Sequence, residues 1–122
     1  MSHDTSSCLF CRIAAGAIPS TKVHEDDEFV AFRDIRPAAE THVLVIPRKH
    51  IDTLSNCTED DAALLGRMLV LVARLADKLG VAYTGGATGF RTVINTGPGG
   101  GQEVYHLHAH ILAGPRPWLR MG

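Results

Sequence analysis

The longest hydrophobic pattern along the chain has helical spacing and begins after Thr58. Apolar residues recur there every three or four positions with polar residues between them, which predicts an amphipathic helix that ends at Gly80. Thr58 and Asp61 form the pattern of a capping box at its start. The apolar stripe, which we expect to pack on the core, consists of Leu65, Met68, Leu69, Val72, Leu75, Ala76 and Leu79.

Shorter stretches on both sides of this helix have strand character. Residues 22–24 and 29–32 are extended pieces separated by an acidic turn, which predicts a hairpin. Residues 42–46 are almost wholly apolar and β-branched, as in a strand buried on both faces at the centre of a sheet. Alternation and β-propensity predict two more strands, over residues 90–95 and 103–112.

These elements, with a short helix over residues 9–15, predict an α+β fold in which an antiparallel sheet packs against one long helix. With 122 residues, 45% of them hydrophobic, the chain can form one domain with a substantial core and is short for two. We expect a single domain over residues 1–122, with its core over 8–116.

Charge and composition narrow the class of ligand. The 12 lysines and arginines balance 13 acidic residues, so the chain lacks the broad basic field that polymeric nucleic acid or an anionic membrane surface requires. No apolar run approaches the ~20 residues that span a bilayer, and the first residues do not resemble a secretory signal. We expect a cytoplasmic protein with a small-molecule ligand and three reduced cysteines.

Three histidines stand at alternate positions in the last predicted strand. Residues two apart on a strand share a face, so His106, His108 and His110 are expected to project together. One such histidine would usually be structural, whereas three place a cluster of ionisable groups on one surface. Either a three-histidine metal site or nucleophilic catalysis by one imidazole would use this cluster.

A glycine-rich loop over residues 97–101 leads into the histidines. Its backbone N–H groups can converge on an anion without interference from side chains, which favours a phosphate over a bare metal ion. A flexible hairpin loop would explain the glycines equally well. The loop therefore favours a phosphate ligand only in combination with the histidines.

Residues 100–112 resemble the signature of the histidine triad superfamily, and their Gly-Gly-Gln and Val-Tyr lead-in resembles its Hint branch. The resemblance extends upstream and covers residues 8–116. Its further segments are residues 18–19, 25–27, 31–37 and 41–51.

The resemblance implies an enzyme that hydrolyses purine nucleoside phosphoramidates, of the adenosine 5′-monophosphoramidase type. His108 matches the nucleophile, which attacks the α-phosphorus to give a nucleotidyl-histidine that water then hydrolyses. His110 matches the residue that faces the phosphate, while His106 and His42 match a supporting pair. Delivery of a proton to the departing amine would fall to this cluster, and no cofactor is required for catalysis.

The resemblance also implies the nucleotide contacts, which include His108 and His110. Asp34 matches an acceptor for both ribose hydroxyls, although on its own it reads as a turn residue before Pro37. The phosphate contacts match Asn95 and the backbone around Gly101, Gln102 and Glu103. The family's apolar slot for the base corresponds here to Phe10, Ile13, Ile18, Ile35 and Leu44. On their own, these five residues would be taken as plain core.

A second site begins at Cys8 and Cys11. A single Cys-x-x-Cys pair is a weak signal, because zinc takes four ligands, and two unmetallated thiols are the alternative. The resemblance implies a structural zinc whose other two ligands are His50 and His106. We assign no role to Cys57, and we expect His3 and His24 to lie on the surface.

Two departures from the family pattern leave the leaving group open. Glu103 stands where animal relatives carry a serine, and a carboxylate beside a phosphate is repulsive, so Glu103 is expected to act through its backbone N–H. Residues 113–116 are closer to the ending of the Fhit branch. The alternatives are therefore a Fhit-like dinucleoside polyphosphate hydrolase and a non-catalytic purine nucleotide-binding or partner-binding module.

A three-histidine metalloenzyme is disfavoured, because the family motif needs His108 free of metal. The resemblance further implies a homodimer. Its interface would contain the long helix and a central strand, with the C-terminal tail, including Trp118, near the partner's site.

Overall fold

The computed structural model describes residues 7–115 and has a five-stranded antiparallel sheet in the order β1-β2-β3-β5-β4. The expected α+β fold is therefore confirmed. The expectations for His3, Arg116 and Trp118 lie outside the described residues. The elements are α1 (Leu9–Ala14), β1 (Lys22–Glu25), β2 (Phe29–Arg33), β3 (Thr41–Pro47), α2 (Ala62–Lys78), β4 (Arg91–Val93) and β5 (Ala109–Ala113).

The central strand β3 divides the core into two layers. Its side chains alternate, so Val43 and Val45 face α2, while His42, Leu44 and Ile46 face the opposite side, where α1 packs. Val43, Val45 and Ile46 have no exposed surface, as the unbroken apolar run predicted. The sheet thus lies between the long helix and the short one, and its α1 side carries the histidines of β3 and β5.

The long helix follows a 3₁₀ turn over Glu59–Asp61, and the predicted capping box of Thr58 and Asp61 closes that turn. Most of the predicted stripe is buried or partly buried against the sheet, but Leu69 is 53% exposed and Leu71 is buried in its place. The stripe is therefore rotated slightly from the predicted one. Within residues 7–115 no helix combines the length and apolarity that crossing a membrane requires.

The last two strands are shorter than the sequence predicts. β4 covers only Arg91–Val93, and β5 begins at Ala109, so residues 103–108 form a loop. The Leu107 N–H donates to the Ile51 carbonyl at 2.6 Å, and the His106 ring bonds to the Pro47 carbonyl. The expectation that one strand face carries all three histidines is wrong, because only His110 lies on a strand.

The capping box supports a prediction for the pH dependence of stability. Asp61 accepts hydrogen bonds from the Thr58 N–H at 3.0 Å and the Lys49 ammonium at 2.9 Å, and both lower its pKa. A lowered carboxyl pKa stabilises the fold above the unfolded pKa, about 3.9, and this contribution disappears as pH falls through the folded value. We expect Asp61→Asn to lower the melting temperature by about 3–6 °C at neutral pH and to flatten its fall as the pH drops below about 4. Asp60→Asn, next to it, is the matched control in thermal unfolding measured against pH.

Candidate functional site

A cavity of about 560 Å³ opens on the α1 side of the sheet. Twelve of the predicted catalytic and nucleotide-binding residues line it, and two do not: His106 is fully buried behind it and Gln102 is buried at the end of the glycine-rich loop. The twelve are Phe10, Ile13, Ile18, Asp34, Ile35, His42, Leu44, Asn95, Gly101, Glu103, His108 and His110. The lining residues that the sequence analysis missed are Leu9, Pro19, Ser20, Phe32, Arg33, Arg36 and Val104.

One end of this pocket is an apolar slot. The Phe10 ring stands edge-on to the rings of Phe32 and His108, with centroid distances of 5.5 and 5.1 Å. Ile13 and Leu44 form part of the same buried cluster, while Ile35 is 92% exposed at the rim. Phe32 could have been found from the sequence, because it lies on the same strand face as Val30 in the predicted hairpin.

The surroundings of His108 fix which ring nitrogen carries its proton. Its Nδ1 lies 2.7 Å from the His106 carbonyl oxygen. Since a carbonyl only accepts, Nδ1 must hold the proton and donate, which leaves the lone pair on Nε2. His108 is 6% exposed, and burial lowers its pKa. The ring is therefore a neutral imidazole with an unprotonated nitrogen, the form in which histidine is nucleophilic.

A hydrogen-bonded relay fixes the protons of His42 and His110 in the same way. The Ala38 N–H donates to His42 Nδ1 at 3.0 Å, so the proton of neutral His42 is on Nε2. That nitrogen lies 2.9 Å from His110 Nδ1 and donates to it, which leaves the His110 proton on Nε2. Burial, together with His108 and His42, lowers the pKa of His110 to about 4. His110 is thus a neutral hydrogen-bond donor in a pocket where donors suit an anionic group.

Asp34 lies between this relay and the pocket rim. Its Oδ2 is 3.5 Å from His42 Nε2, and its Oδ1 accepts the Arg36 N–H at 2.8 Å. The carboxylate therefore closes a turn, as the plain interpretation expected. It is also half-buried in the pocket wall, where its remaining lone pairs can accept further hydrogen bonds.

The donor atoms of Asp34, His42 and His110 lie within 4.8 Å of one another, which raises the question of a metal there. A metal on His42 Nε2 would require the ring proton to move to Nδ1. Nδ1 already accepts the Ala38 N–H, so two donors would then face each other. The protonation of this cluster suits an anionic or hydroxyl ligand and does not suit a metal ion.

The glycine-rich loop is held mainly by bonds within itself. The Gln102 side chain accepts the Gly97 N–H and donates to the carbonyls of Asp52 and Val104, at 2.8–3.1 Å. The backbone amides of Gly101 and Gln102 also donate inside the loop, to Pro98 and Gly97. These two amides are therefore already engaged. Of the three backbone amides predicted to contact the phosphate, only that of Glu103 has no acceptor among residues 7–115, so it remains available.

The four predicted zinc ligands converge behind the pocket, next to α1. Cys11 Sγ lies 3.2 Å from His50 Nδ1, and His106 Nδ1 lies 3.3 Å from Cys8 Sγ and 3.5 Å from Cys11 Sγ. Tetrahedral zinc with its usual bond lengths would hold sulfur and nitrogen about 3.5 Å apart. The four ligand atoms all lie within 4.8 Å of one another, so the set has the size of a closed zinc site.

Protonation also fits a metal at this second cluster. His106 Nε2 lies 2.8 Å from the Pro47 carbonyl and must donate to it, so the lone pair of Nδ1 points toward the two thiols. Burial, with Cys8 beside it, raises the pKa of Cys11 to about 12, and a bound cation would reverse this effect. Cys57 lies apart from this cluster, and His24 pairs with Asp26 at 2.6 Å near the hairpin turn.

Comparisons with known proteins find a matching family model and several similar proteins. A family model described as "HIT domain" matches residues 15–116. The chain is 48% identical over 109 residues to protein HitA of Neisseria gonorrhoeae, covering 89% of this chain and 97% of HitA. It is 42% identical over 106 residues to the purine nucleoside phosphoramidase of Escherichia coli K12, covering 87% and 86% of the two chains.

Two solved structures are informative. A HIT family hydrolase from Legionella pneumophila superposes with a TM-score of 0.85 at 49% identity, covering 90% of this chain and 95% of that one. A Zn-bound histidine triad family protein from Mycobacterium smegmatis has a TM-score of 0.72 at 32% identity, covering 89% and 76%. The fold, an antiparallel sheet with one long helix, is therefore shared with solved relatives.

Proposed function

This chain belongs to the HIT domain family, and from that premise we propose that it is a purine nucleoside phosphoramidate hydrolase that acts through a covalent nucleotidyl-histidine on His108. Two observations about its relatives support the proposal. The Escherichia coli relative is named for phosphoramidase activity, and the Legionella pneumophila neighbour is called a hydrolase.

The protonation of His108 is the observation that carries this proposal. Its Nδ1–H is tied to the His106 carbonyl, so the lone pair on Nε2 is available in a pocket large enough for a nucleotide. In the first step a bond forms between Nε2 and the α-phosphorus and the phosphorus–nitrogen bond breaks. Its electron pair goes to the amine nitrogen, which takes up one proton from the histidine cluster. Water then displaces His108 from phosphorus to give the nucleoside monophosphate, and the proton that the water releases returns to the histidine cluster.

His110 supports both steps by binding the phosphate. Its Nε2–H is a donor whose orientation is fixed through His42 by the Ala38 backbone N–H. A donor that is oriented before the reaction needs no reorganisation as charge develops on the phosphate oxygens. We assign His42 and His106 positioning roles, because His42 holds His110 and the His106 carbonyl holds His108.

The rest of the pocket accommodates a nucleoside. Asp34 would accept hydrogen bonds from the ribose hydroxyls, while the Asn95 side chain and the Glu103 amide would contact the phosphate. Gly101 gives the loop its left-handed turn, at φ 79°, and Gln102 holds the loop in place. The apolar slot would take the base, between residues that include Phe10, Ile13, Ile18, Ile35 and Leu44.

We also propose that Cys8, Cys11, His50 and His106 hold a structural zinc ion. Such an ion supplies a rigid cross-link between distant parts of the chain, and catalysis by His108 does not require it. The four ligands come from α1, the segment after β3 and the loop before β5. The metal would thus join three segments that are distant in sequence.

Homodimerisation is a further part of the proposal. Leu69 and Val70 on α2 are each 53% exposed and lie next to each other, which suits a helix that packs against a second copy. A cytoplasmic location stays a prediction.

The test is to incubate the protein separately with adenosine 5′-phosphoramidate and with a diadenosine polyphosphate, and to follow both by product analysis and intact mass. We expect ammonia and AMP from the first substrate, with a transient adenylyl adduct that maps to His108. Faster turnover of the dinucleotide would instead favour the Fhit-like alternative. Tight nucleotide binding without turnover of either compound would favour a non-catalytic module.

The role of Asp34 gives a prediction specific to the ribose. Asp34→Asn removes a charged acceptor, and hydrogen bonds to charged groups contribute about 1.5–3 kcal/mol, so kcat/KM for adenosine 5′-phosphoramidate should fall about 10- to 100-fold. With the 2′,3′-dideoxy substrate the same substitution should have much less effect. Asp27→Asn, an exposed residue of the hairpin turn, is the control in these steady-state measurements. Equal losses on both substrates would contradict the ribose role.

A further inference from the structure

A second cavity of about 410 Å³ adjoins the nucleotide pocket. The two cavities share Leu9, Glu103 and Val104, so they meet at these residues. The second cavity, here called the side groove, is completed by Ser7, Cys8, His50 and Tyr105. A molecule whose phosphate lies in the nucleotide pocket can therefore extend past Glu103 into the side groove.

The chemistry of the side groove is anionic and aromatic. Glu103 is exposed, and its carboxylate has no ion-pair or hydrogen-bond partner among residues 7–115. No lysine or arginine lines the side groove, as far as residues 7–115 show. Tyr105, which is 44% exposed, presents an aromatic ring in the same wall. A carboxylate next to an aromatic ring is a combination that binds alkylammonium groups.

An unpaired carboxylate is also unfavourable beside a substrate phosphate. His110 does not offset it, because His42 donates to its Nδ1 and its single proton stays on Nε2, which leaves the ring neutral. The arginines of the nucleotide pocket, Arg33 and Arg36, flank Asp34 in the chain rather than Glu103. A substrate that brings its own positive charge to the side groove would remove this penalty, whereas a neutral one would leave it.

We propose that Glu103 and the side groove select phosphoramidates whose amine part carries a second, cationic group, such as an alkylammonium chain. This inference rests on the proposed function and names its substrate class. The side groove is large enough, since a cavity of about 150 Å³ already accommodates benzene. Glu103 would then determine specificity, because its carboxylate would distinguish a cationic leaving group from a neutral one. Its backbone amide would in addition donate to the phosphate.

The test compares two substrates that differ in one charge. They are the adenosine 5′-phosphoramidates of 1,5-diaminopentane, which ends in an ammonium group, and of pentylamine, which ends in a methyl group. The measured quantity is the ratio of kcat/KM for the cationic substrate to that for the neutral one. Glu103→Gln should lower this ratio about threefold to fivefold, as expected for a partly exposed ion pair, and Glu103→Lys should lower it by about tenfold or more.

Two further measurements sharpen this test. The effect of Glu103→Gln on the ratio should shrink at high salt, because exposed charges are screened. Glu59→Gln removes an equal charge from the turn before α2, outside both cavities, and should leave the ratio unchanged.

The inference is overturned if Glu103→Gln leaves the ratio of the two kcat/KM values unchanged. This includes the case in which both substrates slow equally, because the carboxyl then acts on the phosphate itself. If the wild-type protein hydrolyses neither substrate, the proposed function fails and the inference fails with it. Turnover of both substrates with an insensitive ratio refutes the inference alone.

Discussion

Replacing His108 with alanine should lower kcat/KM for adenosine 5′-phosphoramidate by about 10⁴-fold or more, because no covalent intermediate can then form. The intact-mass experiment should show no adenylyl adduct in this variant. The pocket should still bind AMP, since the base slot, Asp34 and the loop remain. Nucleotide affinity, measured by calorimetry, therefore separates loss of chemistry from loss of the site.

His110→Ala is the matched comparison for this result. It removes a donor to the phosphate and leaves the nucleophile in place, so we expect a loss of about 10²- to 10³-fold with the adduct still detectable. If the His108→Ala variant still turned over the substrate, the assignment of His108 as the nucleophile would be refuted. An adduct that forms on His110 instead would exchange the roles of the two residues.

The parts of the fold that the sequence predicts correctly are those that local patterns determine. The hairpin, the central strand and the long helix each show their periodicity within one segment. The start of β5 could not be predicted, because Leu107 bonds to Ile51 and His106 bonds to Pro47, which are distant in sequence. The rotation of α2 that buries Leu71 and exposes Leu69 likewise depends on packing against the sheet.

The site residues were predicted through the family resemblance, but their protonation could not be. The histidines of the triad do not share one proton position, since His106 and His110 carry the proton on Nε2 and His108 carries it on Nδ1, and in each case a backbone group determines it. The three groups are the Pro47 carbonyl for His106, the His106 carbonyl for His108 and, through His42, the Ala38 N–H for His110. Alternation along one strand would have given three equivalent rings, so it is the loop before β5 that makes their chemistry distinct.

His106 connects the two sites. Its ring lies between the two cysteines and the Pro47 carbonyl, while its own carbonyl oxygen holds Nδ1 of His108. Phe10, which stands between Cys8 and Cys11 on α1, contacts the rings of both His106 and His108. The metal ligands and the nucleophile therefore share α1 and the loop before β5 as a common framework.

Cys11→Ser should remove bound zinc and lower the melting temperature by about 10 °C or more, because a structural site with three ligands binds zinc far more weakly. α1 has only six residues, too few to be stable on its own, and the metal would be one of its main anchors. Metal analysis of the purified protein and thermal unfolding with and without a chelator measure these effects. Cys57→Ser, which changes a cysteine outside the ligand set, should alter neither result.

The same substitution should also weaken AMP binding, because α1 contributes Phe10 and Ile13 to the slot for the base. If the zinc has only a structural role, we expect His108→Ala to retain one zinc per chain and Cys11→Ser to lose it. The opposite pattern, with metal lost from His108→Ala and His110→Ala but kept in Cys11→Ser, would indicate a three-histidine metalloenzyme. It would also require His108 to bind metal through the nitrogen whose lone pair we assign to catalysis, so this one comparison tests both sites together.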